Sequence, residues 1–314
     1  MRPTLEKNAV PRYVSASTAT STGSKEFATR ASDPNVQSFL MTKSGRAVVL
    51  LHGMCSSPLD LRPFARALRE HGFHPVTPAL TGYGASDPHA SGPATAGDYR
   101  SWIAAVKDEV DRLALTHSEV TVCGESLGAT LALAVAAECS ALDALSLIST
   151  TLFFDGWNVS RWRFLLPLLC YTPLGRIYRY REKPPYGVKN ELVRALVAGQ
   201  LERRPTSSQA ASSIPTARLR EADRLIRHVK NSLGRIRTPV LLIHSREDDL
   251  SSLANVRYVQ TRIGSERVAI VLVSDSYHMI TLDNDGAYAA GKTIRFFDEI
   301  AQLRANVFAG HRYS

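Results

Sequence analysis

Long apolar runs are missing from this 314-residue chain. No stretch approaches the roughly 18–20 uninterrupted apolar residues of a membrane-spanning helix, and the start carries no apolar core of signal-peptide type. Cysteine is scarce. Cys55, Cys123, Cys139 and Cys170 stand in apolar segments without C-x-x-C spacing, which argues against a disulfide scaffold and a cysteine zinc site. The expected setting is therefore reduced and cytoplasmic, with no metal site indicated. A recognisable nucleic-acid-binding module is also absent, so no nucleic-acid partner is expected despite a net charge of +9. What remains, 44% hydrophobic and 21% charged, is the composition of a globular chain.

The excess of basic charge is local. Residues 155–237 carry 17 basic and 6 acidic side chains, residues 1–46 carry 7 and 3, and the rest is net acidic. The first 34 residues, rich in Ser, Thr and Ala, show no apolar periodicity and read as an N-terminal arm. From residue 47 onward, short apolar runs alternate with helical patterns. Residues 47–51, 74–78, 120–123, 144–149, 240–244 and 268–273 read as strands, most of them apolar enough to be covered on both faces. Helical spacing occupies 59–70, 98–115, 127–139 and 286–304, and a Gly-rich loop spans 81–87. This order predicts an α/β fold with a doubly wound, mostly parallel sheet. The alternation stops between 152 and 237, so 35–151 and 238–314 form the core, and 152–237 is a basic, helical cap insertion.

Gly124-Glu125-Ser126-Leu127-Gly128 is G-x-S-x-G between an apolar strand and a long helix. That context suits a sharp turn that lifts a serine hydroxyl above the sheet, and Ser126 is the candidate nucleophile. A serine hydroxyl needs a base, and the base needs an orienting carboxylate. Of nine histidines, His278 alone lies on the loop directly after the last strand, at the carboxyl edge of the sheet where open α/β sheets bind ligands. His244, ending a buried strand, and His52, in the loop after the first strand, read as structural. The acid belongs after strand 240–244, in Arg246-Glu247-Asp248-Asp249. Asp248 is favoured, with Asp249 and then Glu247 behind it. Asp275 and Asp283 stand too near His278 in sequence and read as loop or helix-cap residues. Two backbone N–H groups must meet the developing oxyanion, and those of Leu127 and Met54 are the candidates.

LLHGMCSSPLDLRPFARALREHGF, PALTGYGASD, VTVCGESLGATLAL, LLIHSREDDLSS and SYHMITLD together resemble the α/β-hydrolase superfamily. The nearest likeness is to small bacterial carboxylesterases and monoacylglycerol lipases. The resemblance covers about residues 46–150 and 238–304 and has the superfamily's order Ser126, Asp248, His278. It implies hydrolysis of a small-molecule carboxylic ester without a cofactor, and a cap inserted after the strand ending near Ser149. Ser245 stands where His-Gly is frequent, Ser251-Ser252 where a proline is frequent, and the insertion is longer and more basic than usual.

Two explanations of the insertion lead, with a partner-protein or nucleic-acid surface a distant third. The apolar stretch 161–171 packs over the site with Arg176, Arg179, Arg181 and Lys183 merely solvated, or those cations form a lid rim that attracts an acidic acyl substrate or an anionic lipid surface. Function likewise has alternatives. A thioesterase or acyltransferase would use the same three residues, and a non-catalytic ligand-binding protein would use the same fold.

Overall fold

The structure is a computed structural model that describes residues 43, 45–84, 97–160, 170–176, 179–181, 183–202 and 213–310. Residues 1–34, the end of the 81–87 loop, nearly all of the apolar stretch 161–171 and the side chains of Arg176, Arg179 and Arg181 lie outside the described residues. In chain order the elements are β1 (Arg46–Leu51), α1 (Arg62–Glu70), β2 (Phe73–Val76), α2 (Tyr99–Thr116), β3 (Glu119–Glu125), α3 (Leu127–Ala136), β4 (Ala144–Ile148), β5 (Arg179–Arg181), α4 (Glu191–Glu202), β6 (Ser213–Pro215), α5 (Thr216–Ser232), β7 (Val240–Ser245), α6 (Ala254–Arg262), β8 (Val268–Val273) and α7 (Gly286–Gly310).

Six strands form one parallel sheet in the order β2-β1-β3-β4-β7-β8. β5 and β6 pair antiparallel on their own, inside the stretch between β4 and β7. Because side chains alternate across a strand, each apolar strand feeds two cores. Ala47, Val49, Leu51, Val120, Val122, Leu145 and Leu147 pack on the face that carries α2, α3 and α5. Val48, Leu50, Cys123, Ile148, Leu241 and Ile243 pack on the face that carries α1 and α7. Coverage of both faces is why the central strands read as continuous apolar runs. Strand order reverses beside β1, with β2 on one flank and β3 on the other. That switch point opens a crevice beyond the carboxyl ends of β1 and β3.

Helix ends follow local chemistry. Asp98 caps α2 by accepting the Ser101 N–H at 2.8 Å. α1 begins at Arg62 rather than 59, because Asp60 accepts the Ser57 N–H at 2.7 Å and holds 57–60 in a turn before Pro63 starts the helix. α5 lies within the basic stretch 152–237, yet Leu225, Ile226 and Val229 belong to the core against α3 and α2. None of the four cysteines, all among the described residues, forms a disulfide. Among the described residues no helix is long and apolar enough to cross a membrane.

Phe297 of α7 is fully buried and its ring lies 5.8 Å from that of Phe73. Phe297→Ala is expected to lower the free energy of urea unfolding by about 3–5 kcal/mol. A loss under ~1 kcal/mol would show that α7 does not close this core.

Candidate active site

β3 delivers Glu125 and Ser126 to the switch point, and the turn there is unusual in its backbone. Ser126 has φ 58° and ψ −120°, a left-handed conformation that L-residues rarely adopt. Two glycines permit it by close approach. A Cβ on Gly128 would stand 2.1 Å from the Leu51 carbonyl oxygen and 2.6 Å from that of His52, while one on Gly124 would stand 2.4 Å from the Gly128 carbonyl oxygen. α3 is thus pressed against the end of β1. The loop after β1 is drawn to Ser126 by the same approach, since a Cβ on Gly53 would lie 3.6 Å from Ser126 Oγ. Met54, the next residue, is buried and belongs to the same extended core as Leu127.

The loops after β7 and β8 supply the other partners. His278 Nε2 lies 2.8 Å from Ser126 Oγ, and His278 Nδ1 lies 2.8 Å and 3.0 Å from the two carboxylate oxygens of Asp248. A carboxylate can only accept, so Nδ1 carries a proton, and in the neutral imidazole Nε2 accepts from the serine hydroxyl. Ser126, His278 and Asp248 are all buried. Asp248 Oδ1 also accepts the N–H groups of Leu250 and Ser251 at 2.8 Å and 2.7 Å, and Ser251 Oγ donates to Oδ2 at 3.2 Å. Burial alone would push the Asp248 carboxyl up. The charge and hydrogen bond of His278, with His244 and the Ser251 N–H behind them, hold it below the usual range. Burial likewise favours a neutral His278, but Asp248, then Asp249 and Glu125, outweigh it and push the imidazole up to about 9.

Of the acids weighed from sequence, the structure brings Asp248 to the ring of His278. Asp249 is buried beside it, and Glu247 turns outward to Lys189 at 3.0 Å. His244 lies beneath Asp248, donating Nε2–H to the Ser251 carbonyl at 2.7 Å, and burial lowers its affinity for a proton. His52 holds the β1 loop, donating Nδ1–H to its neighbour's carbonyl, Gly53 O, at 2.8 Å, while Tyr83 O–H donates to His52 O at 2.7 Å. The unusual serines have local work. Ser245 Oγ donates to the Ser276 carbonyl, tying β7 to the His278 loop, and Ser252 N–H and Oγ–H both donate to Asp155.

Two residues of this region make contacts that the sequence reading did not foresee. Asp283 is no helix cap: its carboxylate accepts backbone N–H groups of Tyr277, Lys189 and Asn190 at 2.6–2.9 Å, binding the inserted stretch to the His278 loop. Glu125 is buried behind Ser126 and bonded to Thr281. A charged residue ending a buried strand was the only signal for it.

The family described as "Serine aminopeptidase, S33" matches residues 42–285. The chain belongs to this family of α/β hydrolases. As a member of it the protein is a serine hydrolase. It is 27% identical over 254 residues to a thermostable monoacylglycerol lipase of Bacillus sp. (strain H-257), covering 80% of this chain and 89% of that one. Among solved structures, one from work on the metagenome-derived lipolytic enzymes LipS and LipT superposes with a TM-score of 0.66 at 22% identity, over 82% of this chain and 95% of that chain. The monoacylglycerol lipase of Paleococcus ferrophilus does so at 0.63 and 16% identity, over 82% and 98%. At those identities the superpositions speak for the fold.

The Gly128 contacts are all with backbone, which cannot swing away. Gly128→Ala is expected to destabilise the S33-family fold by about 3 kcal/mol, the upper end of ordinary overpacking, in denaturant unfolding. A variant as stable as the parent would mean that β1 and α3 do not approach this closely.

Proposed function

We propose that this protein hydrolyses carboxylic esters, monoacylglycerol-like lipids among them, through an acyl-enzyme on Ser126. The observation that carries the reading is the continuous line of contacts Asp248–His278–Ser126, buried at the switch point of the sheet. Ser126 Oγ attacks the ester carbonyl as its proton passes to His278 Nε2. The imidazolium then returns that proton to the leaving alkoxide, releasing the alcohol. Water repeats the sequence on the acyl-enzyme and frees the acid, while Asp248 stays ionised and holds the ring. The N–H groups of Met54 and Leu127 receive the oxyanion, helped by the positive end of α3.

The choice of an ester rests on the S33-family relative of Bacillus, which is a monoacylglycerol lipase. Residues 35–151 and 238–314 serve as the hydrolase core and 152–237 as its cap. The cap reading is supported by the Gly187 carbonyl, which accepts the Met279 N–H at 2.8 Å immediately after His278. A thioesterase or acyltransferase would differ only in the group transferred or the acceptor. Comparing ester, thioester and aminoacyl-anilide substrates, with and without added alcohol, separates these and the peptidase chemistry of the family name.

Ser126→Ala is expected to abolish turnover on p-nitrophenyl and monoacylglycerol esters with the fold intact. Asp248→Asn is expected to lower kcat by a factor on the order of 10⁴, as in a serine protease triad, and Asp249→Asn by far less. The opposite ranking would move the acid to Asp249. Because neutral His278 is the base, kcat/KM falls as pH drops through its pKa. With that pKa raised towards about 9, the acid limb lies above the ordinary 6.5 and activity climbs into alkaline pH. A limb centred at or below about pH 6 would contradict this environment for His278.

A further inference from the structure

Glu125 is a buried carboxylate that the proposed reaction does not use. It ends β3 on the face shared with Cys123, where the His278 loop runs into α7. Both its oxygens go to one residue. Thr281 N–H donates to Oε1 at 3.0 Å and Thr281 Oγ1–H donates to Oε2 at 2.8 Å. Thr281 stands three residues after His278, and the intervening Ile280 is fully buried in the same core. The strand that presents Ser126 and the loop that presents His278 are therefore joined twice: at Ser126–His278 itself, and one residue back by this two-pronged clamp. An apolar residue could fill the same space without the cost of burying a carboxylate. It could neither grip Thr281 nor bring charge to His278.

We propose that Glu125 is a positioning residue for His278, its clamp on Thr281 setting the His278 loop against the serine turn and its carboxylate favouring the imidazolium. This rests on the reading of His278 as the general base. The groups facing Glu125 are Thr281, His278 and, from the loop after β1, Asp60; those facing His278 are Asp248, Asp249, Glu125 and His244. Burial pushes the Glu125 carboxyl up to about 7, with the Thr281 bonds and His278 opposing the rise. It therefore ionises close to neutral pH.

Charge and clamp separate by mutation. Gln at 125 keeps the shape, accepts the Thr281 N–H and donates to Thr281 Oγ1, but carries no charge. Val at 281 keeps the charge and the branched shape but removes the hydroxyl prong. The experiment measures kcat and KM against pH for a short-chain p-nitrophenyl ester in the parent, Glu125→Gln, Glu125→Ala and Thr281→Val, at a temperature where melting curves show each folded. Glu125→Gln is expected to move the acid limb to lower pH. At about pH 8, where the parent's Glu125 is ionised and its His278 still largely protonated, the variant's kcat/KM, as a fraction of its own plateau, should be roughly two- to tenfold above the parent's. Glu125→Ala should lose roughly 10–100-fold in kcat with KM changed less than about threefold, and Thr281→Val roughly 3–10-fold with the limb unmoved. An unmoved limb in Glu125→Gln overturns the electrostatic part, and parental kcat in Thr281→Val overturns the clamp. If the Ala variant does not fold, these two decide alone. Turnover retained by Ser126→Ala, run alongside, is a separate outcome and marks failure of the underlying reading.

Discussion

The first turn of α3 lies so close to the end of β1 that residue 128 has no room for a side chain. Much at the sheet edge depends on this contact between main chains. It forces the chain to leave β3 through a left-handed residue, which raises the Ser126 side chain over the crevice at the switch point. It also fixes where the loop after β1 can run, placing Gly53 against Ser126. Two loops that come much later in the chain then complete the site from the other flank. Their placement relies on side chains rather than on backbone packing: Ser245 to the Ser276 carbonyl, Asp248 to Ser251 and His278, and Asp283 to the inserted stretch.

Carboxylates govern the electrostatics of this small volume. Asp248, Asp249 and Glu125 are all buried, and all favour the charged form of His278. Backbone N–H groups and hydroxyls solvate Asp248 and Glu125 in place of water. This arrangement keeps Asp248 ionised and His278 basic, and once the ring is neutral Ser126 donates to it. A serine hydrolase needs its charges placed before substrate arrives, because groups already oriented cost no reorganisation when the oxyanion forms.

The strands could be read from the sequence because a parallel strand covered on both faces has no polar side to interrupt the run, as in 47–51 and 240–244. Ser126 and His278 were legible for a different reason: each sits at a fixed place in the strand order, one after β3 and the other after β8. The sequence favoured Asp248 over Asp249 by its place after β7, and the three-dimensional loop adds which of these neighbours faces the His278 ring. The pairing of Glu125 with Thr281 spans 156 residues and leaves no periodic or local trace. Charge also gave an incomplete picture of the insertion. Arg218, Arg220, Arg224, Arg227 and Lys230 all lie on α5, a helix whose apolar side is part of the sheet core.

The central claim is that Ser126 is a nucleophile activated by His278. Labelling with a fluorophosphonate, followed by peptide mapping, tests it directly. The account predicts one adduct per chain, on the peptide containing Ser126, formed quickly in the parent and lost or greatly slowed in His278→Ala. An adduct on another residue, no adduct at all, or equal labelling without His278 would contradict it.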